Sequence, residues 1–437
     1  MSLRHQVAVV TGGGRGIGRA IARTLAEAGA SVAVFARTGS ELAETVSLIT
    51  SAGGEAGAWT LDVTDEDAVK RAIEDVRARW GPVDLLVNNA AILGPIGPVW
   101  ESSPTDWWRA QTVNLRGPIV CTHAVIAAMI ARRRGRIINV VSGALPIAYF
   151  SAYMTSKSAL IRFTECLAIE AKPFGVSVFA MGPGTVRTAM SEHSLSSAEG
   201  QRWLPWFRRI FDEGLDVPIE RPARLALELA SGGYDDLAGL TVTPPDDLES
   251  MRQALPTINR EKLYSLRIRT LPTPEAGALA AVREKAEQPL DLSVRITRTF
   301  SVGPDVVFDA WTDGATIAKW FLPPEEARWV DPPIADPRPD GELSLRAVVR
   351  GEQYHLFGRF RRIERPIALS MQWSWRDLPV IDGPGDTELT LQFAATPEGC
   401  AIELVHVGFL TVQARDAHER GWTRCLDSLR QVLDSSR

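Results

Sequence analysis

The feature that most constrains this chain is a glycine-rich octapeptide that follows its first apolar run. Residues 11–18 read Thr-Gly-Gly-Gly-Arg-Gly-Ile-Gly, after an apolar stretch at residues 7–10 and at the start of a helical pattern at residues 17–28. A glycine loop between a buried strand and a helix N-terminus lets backbone N–H groups approach a dinucleotide pyrophosphate. Tyr153 and Lys157 stand one helical turn apart, so a phenol and an ammonium share a helix face. Together the two motifs predict a dinucleotide cofactor beside a proton donor.

Apolar runs alternate with helical patterns through the first half of the chain. Five of the runs are short enough to be buried parallel strands. They lie at residues 7–10, 32–35, 85–87, 136–141 and 176–180. The alternation predicts an α/β fold with a doubly wound parallel sheet of the Rossmann type, which binds its ligand at the carboxyl ends of the strands.

The length and charge of the chain narrow its class. At 437 residues it is too long for one ordinary core, so two domains are expected. A net charge of -5 argues against nucleic acid as a partner. No apolar stretch near 18 residues is free of charge, so no membrane span is expected. The start, Met-Ser-Leu-Arg-His-Gln, runs into the first strand, which predicts no signal peptide and a cytoplasmic protein.

Cysteine and histidine show no metal-ligand pattern. The four cysteines include no Cys-x-x-Cys pair, and the six histidines are scattered. We therefore expect buried free thiols in a reducing compartment and no metal site.

Further motifs follow the glycine loop in a fixed order. They are Asn88-Asn89-Ala90, Asn114, Ser142, Tyr153 with Lys157, and Pro183-Gly184-Thr185-Val186. In this order, residues 1 to about 270 resemble the short-chain dehydrogenase/reductase family. The resemblance implies a tetrad in which Ser142 binds the substrate oxygen, Tyr153 is the general acid of reduction, and Asn114 anchors a water that links Lys157 to solvent. Lys157 is expected to lower the pKa of the phenol and to hold the nicotinamide ribose.

The cofactor preference is predicted from the end of the second strand. NAD enzymes of this type have an Asp there, whereas this chain has Ala36 followed by Arg37, with Arg15 as a second cation. The pattern resembles that of NADP enzymes, so NADPH is expected. The resemblance assigns the cofactor to Gly12, Gly14, Arg15, Gly16, Ile17, Gly18, Arg37, Asp62, Val63, Asn89, Tyr153, Lys157, Pro183, Gly184, Val186 and Thr188.

Residues 189–217 stand where the family carries its substrate lid. Trp203, Trp206, Phe207 and Phe211 have the spacing of one helix face. This helix either packs on its own domain or closes over a bulky apolar carbonyl substrate. The resemblance also implies a homodimer or homotetramer, paired through the helices that carry Asn114 and Tyr153.

The second half has a different pattern. Residues 271–290 are rich in Pro, Ala and Glu and are expected to form a linker between a domain at residues 1–270 and one at residues 291–437. Alternating segments at residues 343–349, 354–363, 368–375, 387–393 and 401–407 predict strands, and residues 412–433 predict a closing helix. This α+β half resembles the START/SRPBCC helix-grip superfamily, in the branch related to an activator of a chaperone ATPase. The resembling segments are residues 308–312, 320–323, 336–341, 363–366, 405–409 and 421–422.

The chemistry of the second half stays open at this stage. Candidate cavity residues are Trp329, Tyr354, His355, Trp373, Trp375, Glu388, Glu403 and His406. One hypothesis is a bifunctional enzyme, whose second half binds, cyclises or dehydrates the product of the first. The alternative is a non-catalytic ligand-binding or interaction module, which a cavity filled by tryptophan would favour. No catalytic residue is assigned here.

Overall fold

The chain forms two compact units, Met1–Pro289 and Leu290–Arg437. The structure, a computed structural model, describes residues 1–143, 145–268, 291–321, 327–349, 351–376 and 387–435. The predicted linker and residues 322 and 323 of one resembling segment lie outside the described residues. The domain boundaries at 270 and 291 therefore stay a prediction, and each unit is considered by itself.

The first unit is built on a seven-stranded parallel sheet in the order β3-β2-β1-β4-β5-β6-β7. The strands are β1 Val7–Thr11, β2 Ser31–Ala36, β3 Glu55–Thr60, β4 Leu85–Asn88, β5 Gly135–Val140, β6 Val176–Met181 and β7 Thr241–Val242. The five predicted strands are confirmed. Because β3 reads Glu-Ala-Gly-Ala-Trp-Thr and β7 has two residues, neither offers the branched apolar run that marks a buried strand. Strand order reverses between β1 and β4, which opens a crevice at their carboxyl ends.

Helices cover both faces of this sheet. They are α1 Gly16–Glu27, α2 Gly39–Ser51, α3 Glu66–Trp80, α4 Pro104–Gln111, α5 Gly117–Ala131, α6 Ser151–Ala171, α7 Ala189–Ser196, α8 Ala198–Trp203, α9 Phe207–Asp212, α10 Glu220–Ala230, α11 Leu248–Gln253 and α12 Leu255–Glu261. Alternate side chains of β1 pack in the hydrophobic cores on opposite faces of the sheet. Ala8 and Val10 pack with α1, whereas Val7 and Val9 pack with α3 and α5. The predicted doubly wound fold is confirmed.

One helical segment among the described residues, Pro104–Ala131, is long and apolar enough to cross a membrane by length and composition alone. The segment contains Asp106, Arg109 and Arg116, so it is not a stretch free of charge. Val120, Val125 and Met129 of this segment are buried in the core that α3 shares. Since core helices pass the same test, the absence of a membrane span stays a prediction.

The second unit has an antiparallel sheet in the order β10-β11-β12-β13-β14-β15-β8, with β9 beside β11. Its strands are β8 Val294–Phe300, β9 Ala327–Trp329, β10 Ile334–Ala335, β11 Glu342–Val349, β12 Glu352–Glu364, β13 Ala368–Arg376, β14 Thr387–Thr396 and β15 Gly399–Val407. Two short helices, α13 Pro304–Thr312 and α14 Gly314–Trp320, follow β8, and α15 Val412–Ser435 closes the chain. The predicted α+β helix-grip architecture is confirmed.

Candidate active site

Asn89 clamps the glycine loop at the end of β1. Its Nδ2 donates hydrogen bonds to the carbonyl oxygens of Thr11 over 2.9 Å and of Gly12 over 3.3 Å. A Cβ on Gly18 would lie 2.2 Å from the oxygen of Gly12, and Gly12 itself has a φ of +64°. Only glycine fits these two positions, so close backbone packing by itself accounts for them.

Thr11 holds the neighbouring loop in place and was not singled out from the sequence. Its hydroxyl oxygen accepts hydrogen bonds from the backbone N–H groups of Asn89 and Ala90, over 2.9 and 3.1 Å. The strand ends β1 and β4 are therefore joined where the crevice opens. The available signal was its place as the first residue of the octapeptide.

A cleft of about 280 Å³ opens at this edge of the sheet. Fourteen of the predicted cofactor residues line it: Gly12, Gly14, Arg15, Gly16, Ile17, Gly18, Arg37, Asp62, Val63, Asn89, Tyr153, Lys157, Pro183 and Thr188. Gly184 and Val186 are not among the lining residues; Gly184 is exposed, and Val186 is buried. Asn114 and Ser142 are likewise outside the lining residues. Within the described part of the chain, no group of three or more His, Cys, Asp or Glu is placed to hold a metal.

Lys157 is buried beneath Tyr153 on α6. Its Nζ donates a hydrogen bond to the carbonyl oxygen of Val140 over 2.7 Å and lies 5.8 Å from the centre of the Tyr153 ring. Ser142 follows β5 two residues after Val140 and is partly buried. The end of β5 thus supplies both the acceptor for Lys157 and the predicted substrate-binding hydroxyl.

Burial shifts the pKa of both groups in the direction of their neutral forms. It raises the pKa of Tyr153 to about 12 and lowers the pKa of Lys157 to about 8. This net shift is opposite to the lowering expected from Lys157, whose own effect on the pKa of the phenol stays a prediction. Desolvation dominates, and the ammonium is directed to Val140. Tyr153 accordingly remains a protonated phenol at neutral pH, as a proton donor must be.

Asn114 is completely buried in a single π turn, Thr112–Arg116, between α4 and α5. Its Oδ1 accepts from the Ile92 N–H, and its Nδ2 donates to the Ile92 oxygen and to Ser156 Oγ, over 2.8, 2.8 and 3.0 Å. Ser156 in turn donates to the carbonyl oxygen of Tyr153 over 2.7 Å. Asn114 therefore ties the loop after β4 to the turn that carries the phenol; its role as a water anchor stays a prediction.

The far end of the cleft carries the charges that bear on cofactor choice. Ala36 ends β2, and Arg37 and Arg15 are exposed beside it. Asp62 has a lowered pKa: burial opposes its charge, but hydrogen bonds from the backbone and hydroxyl of Thr64, with Arg37 nearby, outweigh that effect. These residues line one cleft with the glycine loop.

The predicted lid is not one helix. Residues 189–217 form α7, α8 and α9, and Trp203 ends α8 before Phe207 begins α9. Pro205 explains the break, because a proline disfavours helical backbone at the residue before it. Leu204 has a φ of -124° and a ψ of 48°. The single aromatic face predicted for these residues is therefore wrong.

Two aromatic pairs form at the segment that leads into Tyr153. Phe150 stacks on Tyr153 with ring centres 5.0 Å apart and planes 25° apart. The ring centre of Tyr149 lies 4.6 Å from that of Trp203, and a Cβ on Gly97 would lie 3.4 Å from Trp203 Nε1. Tyr149 has a φ of +65°, a rare conformation for a bulky residue. The loop after β4, the loop before α6 and the end of α8 thus meet at Tyr149, four residues before Tyr153.

The interior of the second unit is filled by aromatic side chains. Trp311, Trp320, Trp373 and Trp422 are each at most 3% exposed. The ring centres of Trp311 and Trp320 lie 4.8 Å apart, and those of Trp373 and Trp422 lie 4.9 Å apart. Phe321 contacts Trp320, Trp373 and Trp422. Tryptophan therefore occupies the space between α15 and the sheet. A cavity filled in this way favours the hypothesis that the second half is a non-catalytic binding or interaction module.

His406 lies in this interior with both ring nitrogens bonded. Trp422 Nε1 donates to its Nδ1 over 2.9 Å, so its Nε2 carries the proton and donates to Thr387 Oγ1 over 2.8 Å. The Thr387 hydroxyl then donates to the Trp373 carbonyl oxygen over 2.9 Å. Burial, with His418 nearby, holds the pKa of His406 well below its usual value. His406 is a neutral structural group.

The other candidate cavity residues divide between interior and surface. Trp373 and Trp375 pack in the core on the same face of β13, and Trp375 Nε1 donates to His418 Nε2 over 3.0 Å. Glu388 and Glu403 are exposed, because they alternate with buried core residues of β14 and β15; their assignment to a cavity is wrong. The remaining candidates, Trp329, Tyr354 and His355, are partly buried.

Comparisons with known proteins agree with this geometry. The family profile described as short chain dehydrogenase matches residues 6–199, and the profile described as Activator of Hsp90 ATPase homolog 1-like protein matches residues 301–434. A short chain dehydrogenase of Pseudocercospora fijiensis is 42% identical over 193 residues, which are 43% of this chain and 62% of that relative. Galactitol 2-dehydrogenase of Agrobacterium fabrum is 35% identical over 251 residues, which are 55% of this chain and 91% of that enzyme.

A solved structure supports the same assignment. A variant of actinorhodin polyketide ketoreductase with NADPH matches with a TM-score of 0.51 and 30% identity, over 56% of this chain and 97% of that one. The glycine loop and the Tyr153 and Lys157 pair lie within residues 6–199, which the short chain dehydrogenase profile matches. The chain therefore belongs to the short-chain dehydrogenase family, with a second half that matches the Hsp90 ATPase activator profile.

Proposed function

We propose that this chain reduces a carbonyl group on a bulky apolar substrate with NADPH, or oxidises the corresponding alcohol in the reverse direction. The carrying observation is that Tyr153 lines the cleft at the glycine loop together with Lys157, whose buried Nζ lies 5.8 Å from the centre of the Tyr153 ring. A bound nicotinamide cofactor supplies the hydride. Tyr153 donates its proton to the substrate oxygen, so carbonyl, hydride and proton together give the alcohol. Ser142 would donate a hydrogen bond to the same oxygen, and Lys157 would stabilise the phenolate left behind.

The cleft fits NADPH by its charges. No carboxylate ends β2, since Ala36 stands there, and the guanidinium groups of Arg15 and Arg37 border the same end of the cleft. A 2′-phosphate carries up to two negative charges, which these cations attract and an Asp at position 36 would repel. The tight glycine positions Gly12 and Gly18 leave room for a pyrophosphate at the start of α1.

The surroundings of Tyr153 support an aromatic, polyketide-like substrate. Phe150 stacks on Tyr153, and Tyr149, the residue before Phe150, packs on Trp203. Such walls recognise flat apolar molecules by stacking and area burial. The likeness to a polyketide ketoreductase supports the same substrate class.

For the second half, the aromatic interior supports a non-catalytic binding or interaction module over a second enzyme. His406 has both nitrogens bonded, and the two glutamates that could have served as acids or bases point away from the core. A second activity in cyclisation or dehydration needs an acid or base that faces a ligand. Titrating the chain with polycyclic ketones and following tryptophan emission tests whether a ligand enters among these rings.

The remaining proposals concern assembly and location. Ile119 is 40% exposed on α5, and Ile126 and Ile130 lie on the same helix face. We propose that α5 and α6 pair between copies in a homodimer or homotetramer. The four cysteines are free, although Cys166 is exposed and Cys425 only partly buried, and we propose from these free thiols that the protein is cytoplasmic.

The direct test is consumption of NADPH with a panel of ketones, from small aliphatic to polycyclic aromatic. We expect turnover of the aromatic ketones and a clear preference for NADPH over NADH. Equal or tighter binding of NADH would overturn the cofactor assignment. Turnover of small aliphatic ketones alone would overturn the substrate class.

A further inference from the structure

Glu41 places a carboxylate at the end of the cleft where the cations lie. It lines the cleft together with Arg15, Ala36 and Arg37. Its Oε1 lies 3.2 Å from Nη1 of Arg15 and accepts a hydrogen bond from it. One of the two cations that face a 2′-phosphate is therefore already paired with a negative charge from the same chain.

The local backbone holds Glu41 over the glycine loop. Glu41 is the third residue of α2, and a Cβ on Gly14 would lie 3.0 Å from the Glu41 Cβ. The spacing of Thr38 and Glu41 is that of a capping box, in which the Glu would turn back to the Thr38 N–H. Thr38 makes no side-chain cap hydrogen bond here, and the Glu41 carboxylate is bonded to Arg15 instead. The Glu41 side chain therefore pairs with Arg15 at the cleft instead of completing a capping box at the start of α2.

The pair is weak enough to exchange partners. The side chains of Arg15 and Glu41 are 66% and 31% exposed, and exposed ion pairs contribute little to stability. A phosphate monoester offers more negative charge and more acceptor oxygens than a carboxylate. The 2′-phosphate therefore displaces the Glu41 carboxylate from the Arg15 guanidinium when the cofactor binds. The carboxylate left behind then faces an anion of its own sign.

We propose that Glu41 is a specificity-determining residue that competes with the cofactor's 2′-phosphate for Arg15 and so limits the preference for NADPH. The inference rests on the proposed NADPH-dependent function. NADH lacks the 2′-phosphate and neither needs Arg15 nor meets this repulsion. The effect of Glu41 is therefore selective for one of the two cofactors.

The test is titration of the purified full chain with NADPH and NADH, followed by cofactor fluorescence. Glu41→Gln should tighten NADPH binding about fivefold at low salt, the size expected for one exposed charge pair. It should change NADH binding less than about twofold, and high salt should shrink the NADPH effect by screening. Unchanged or weaker NADPH binding by E41Q overturns the proposal.

Glu44→Gln is the matched control. Glu44 lies on the same helix and pairs with Arg19 over 2.8 Å, but it is not among the cleft residues. E44Q should leave both affinities unchanged. A gain as large as that of E41Q would show a general charge effect and overturn the specific role of Glu41.

A further test repeats Glu41→Gln in a variant that lacks the Arg15 guanidinium. Because the gain depends on release of Arg15, Glu41→Gln should tighten NADPH less in Arg15→Ala than in the natural chain. An equal gain in both backgrounds overturns competition for Arg15. These outcomes are separate from the wild-type preference: a wild type that binds NADH more tightly contradicts the proposed function whatever E41Q does.

Discussion

Lys157 donates a hydrogen bond from Nζ to the carbonyl oxygen of Val140 over 2.7 Å, and the residue is only 2% exposed to solvent. One neutral acceptor does not replace the water that an ammonium loses on burial. The pKa of Lys157 is accordingly lowered to about 8, while that of Tyr153 is raised to about 12. At neutral pH the free enzyme thus holds Tyr153 protonated and Lys157 mostly charged, but Lys157 loses its proton at a pH only slightly higher.

The first prediction is an alkaline limit on reduction. Lys157 is charged below its pKa of about 8 and neutral above it, whereas Tyr153 stays protonated to about 12. We expect kcat/KM for ketone reduction to be flat on the acidic side and to fall with an apparent pKa near 8, measured from about pH 6 to about pH 10. Lys157→Arg should retain some activity and lose this limit, since arginine stays charged. A wild-type profile that is flat to about pH 10 would contradict the assignment.

The second prediction concerns cofactor choice. Ala36→Asp combined with Arg37→Ala introduces a carboxylate at the end of β2 and removes one cation. The preference should shift toward NADH, because the new carboxylate repels the 2′-phosphate and accepts from a ribose hydroxyl. Competition titrations with both cofactors measure the ratio of their Kd values. An unchanged ratio would show that the 2′-phosphate does not reach this strand end.

The third prediction concerns Trp203, which packs on the segment that leads into Tyr153. Trp203→Ala removes the ring that packs on Tyr149, so KM for a polycyclic ketone should rise about fivefold to tenfold, the worth of one lost ring contact. KM for a small ketone and the Kd of NADPH should stay the same. Trp206→Ala is the control, since that ring is 42% exposed and contacts Phe207 on α9. Equal effects of the two variants would reject Trp203 as a substrate wall.

The fourth prediction tests whether the hydrogen bond between His406 and Thr387 stabilises the second unit or takes part in catalysis. Thr387→Val removes the acceptor of His406 Nε2 and leaves a buried N–H without a partner. The unfolding free energy of this unit should fall by about 1–3 kcal/mol, as read from guanidinium unfolding followed by tryptophan fluorescence. Reductase kinetics should not change. Thr390→Val, on the same strand at a partly exposed position, should be nearly neutral. Loss of ketone turnover in T387V would point to a catalytic part for this network.

Much of this architecture is readable from local pattern. The strand at the glycine loop, the helix of Tyr153 and Lys157, and the antiparallel strands of the second half follow from apolar periodicity, which depends on neighbouring residues alone. Pro205 can also be read from the sequence. Because a proline disfavours helical backbone at the residue before it, the break between α8 and α9 could have been predicted.

Other features depend on contacts far apart in the chain. Asn89 bonds to Thr11 and Gly12 across more than seventy residues, and Glu41 meets Arg15 across the cleft. The pKa of Tyr153 is set by desolvation, which no spacing of residues reveals. Alternation places Glu388 and Glu403 on one side of the sheet, but it does not say which side is buried.

The most direct measurement is ketone reduction by Tyr153→Phe beside NADPH binding by the same variant. The substitution removes only the phenolic proton donor and keeps the ring that stacks on Phe150. The account predicts a turnover below about one hundredth of the wild-type value, since general acid catalysis contributes at least that much, with an NADPH Kd within about twofold of wild type. A variant that binds NADPH normally and still reduces the ketone at more than about one hundredth of the wild-type rate would contradict the account.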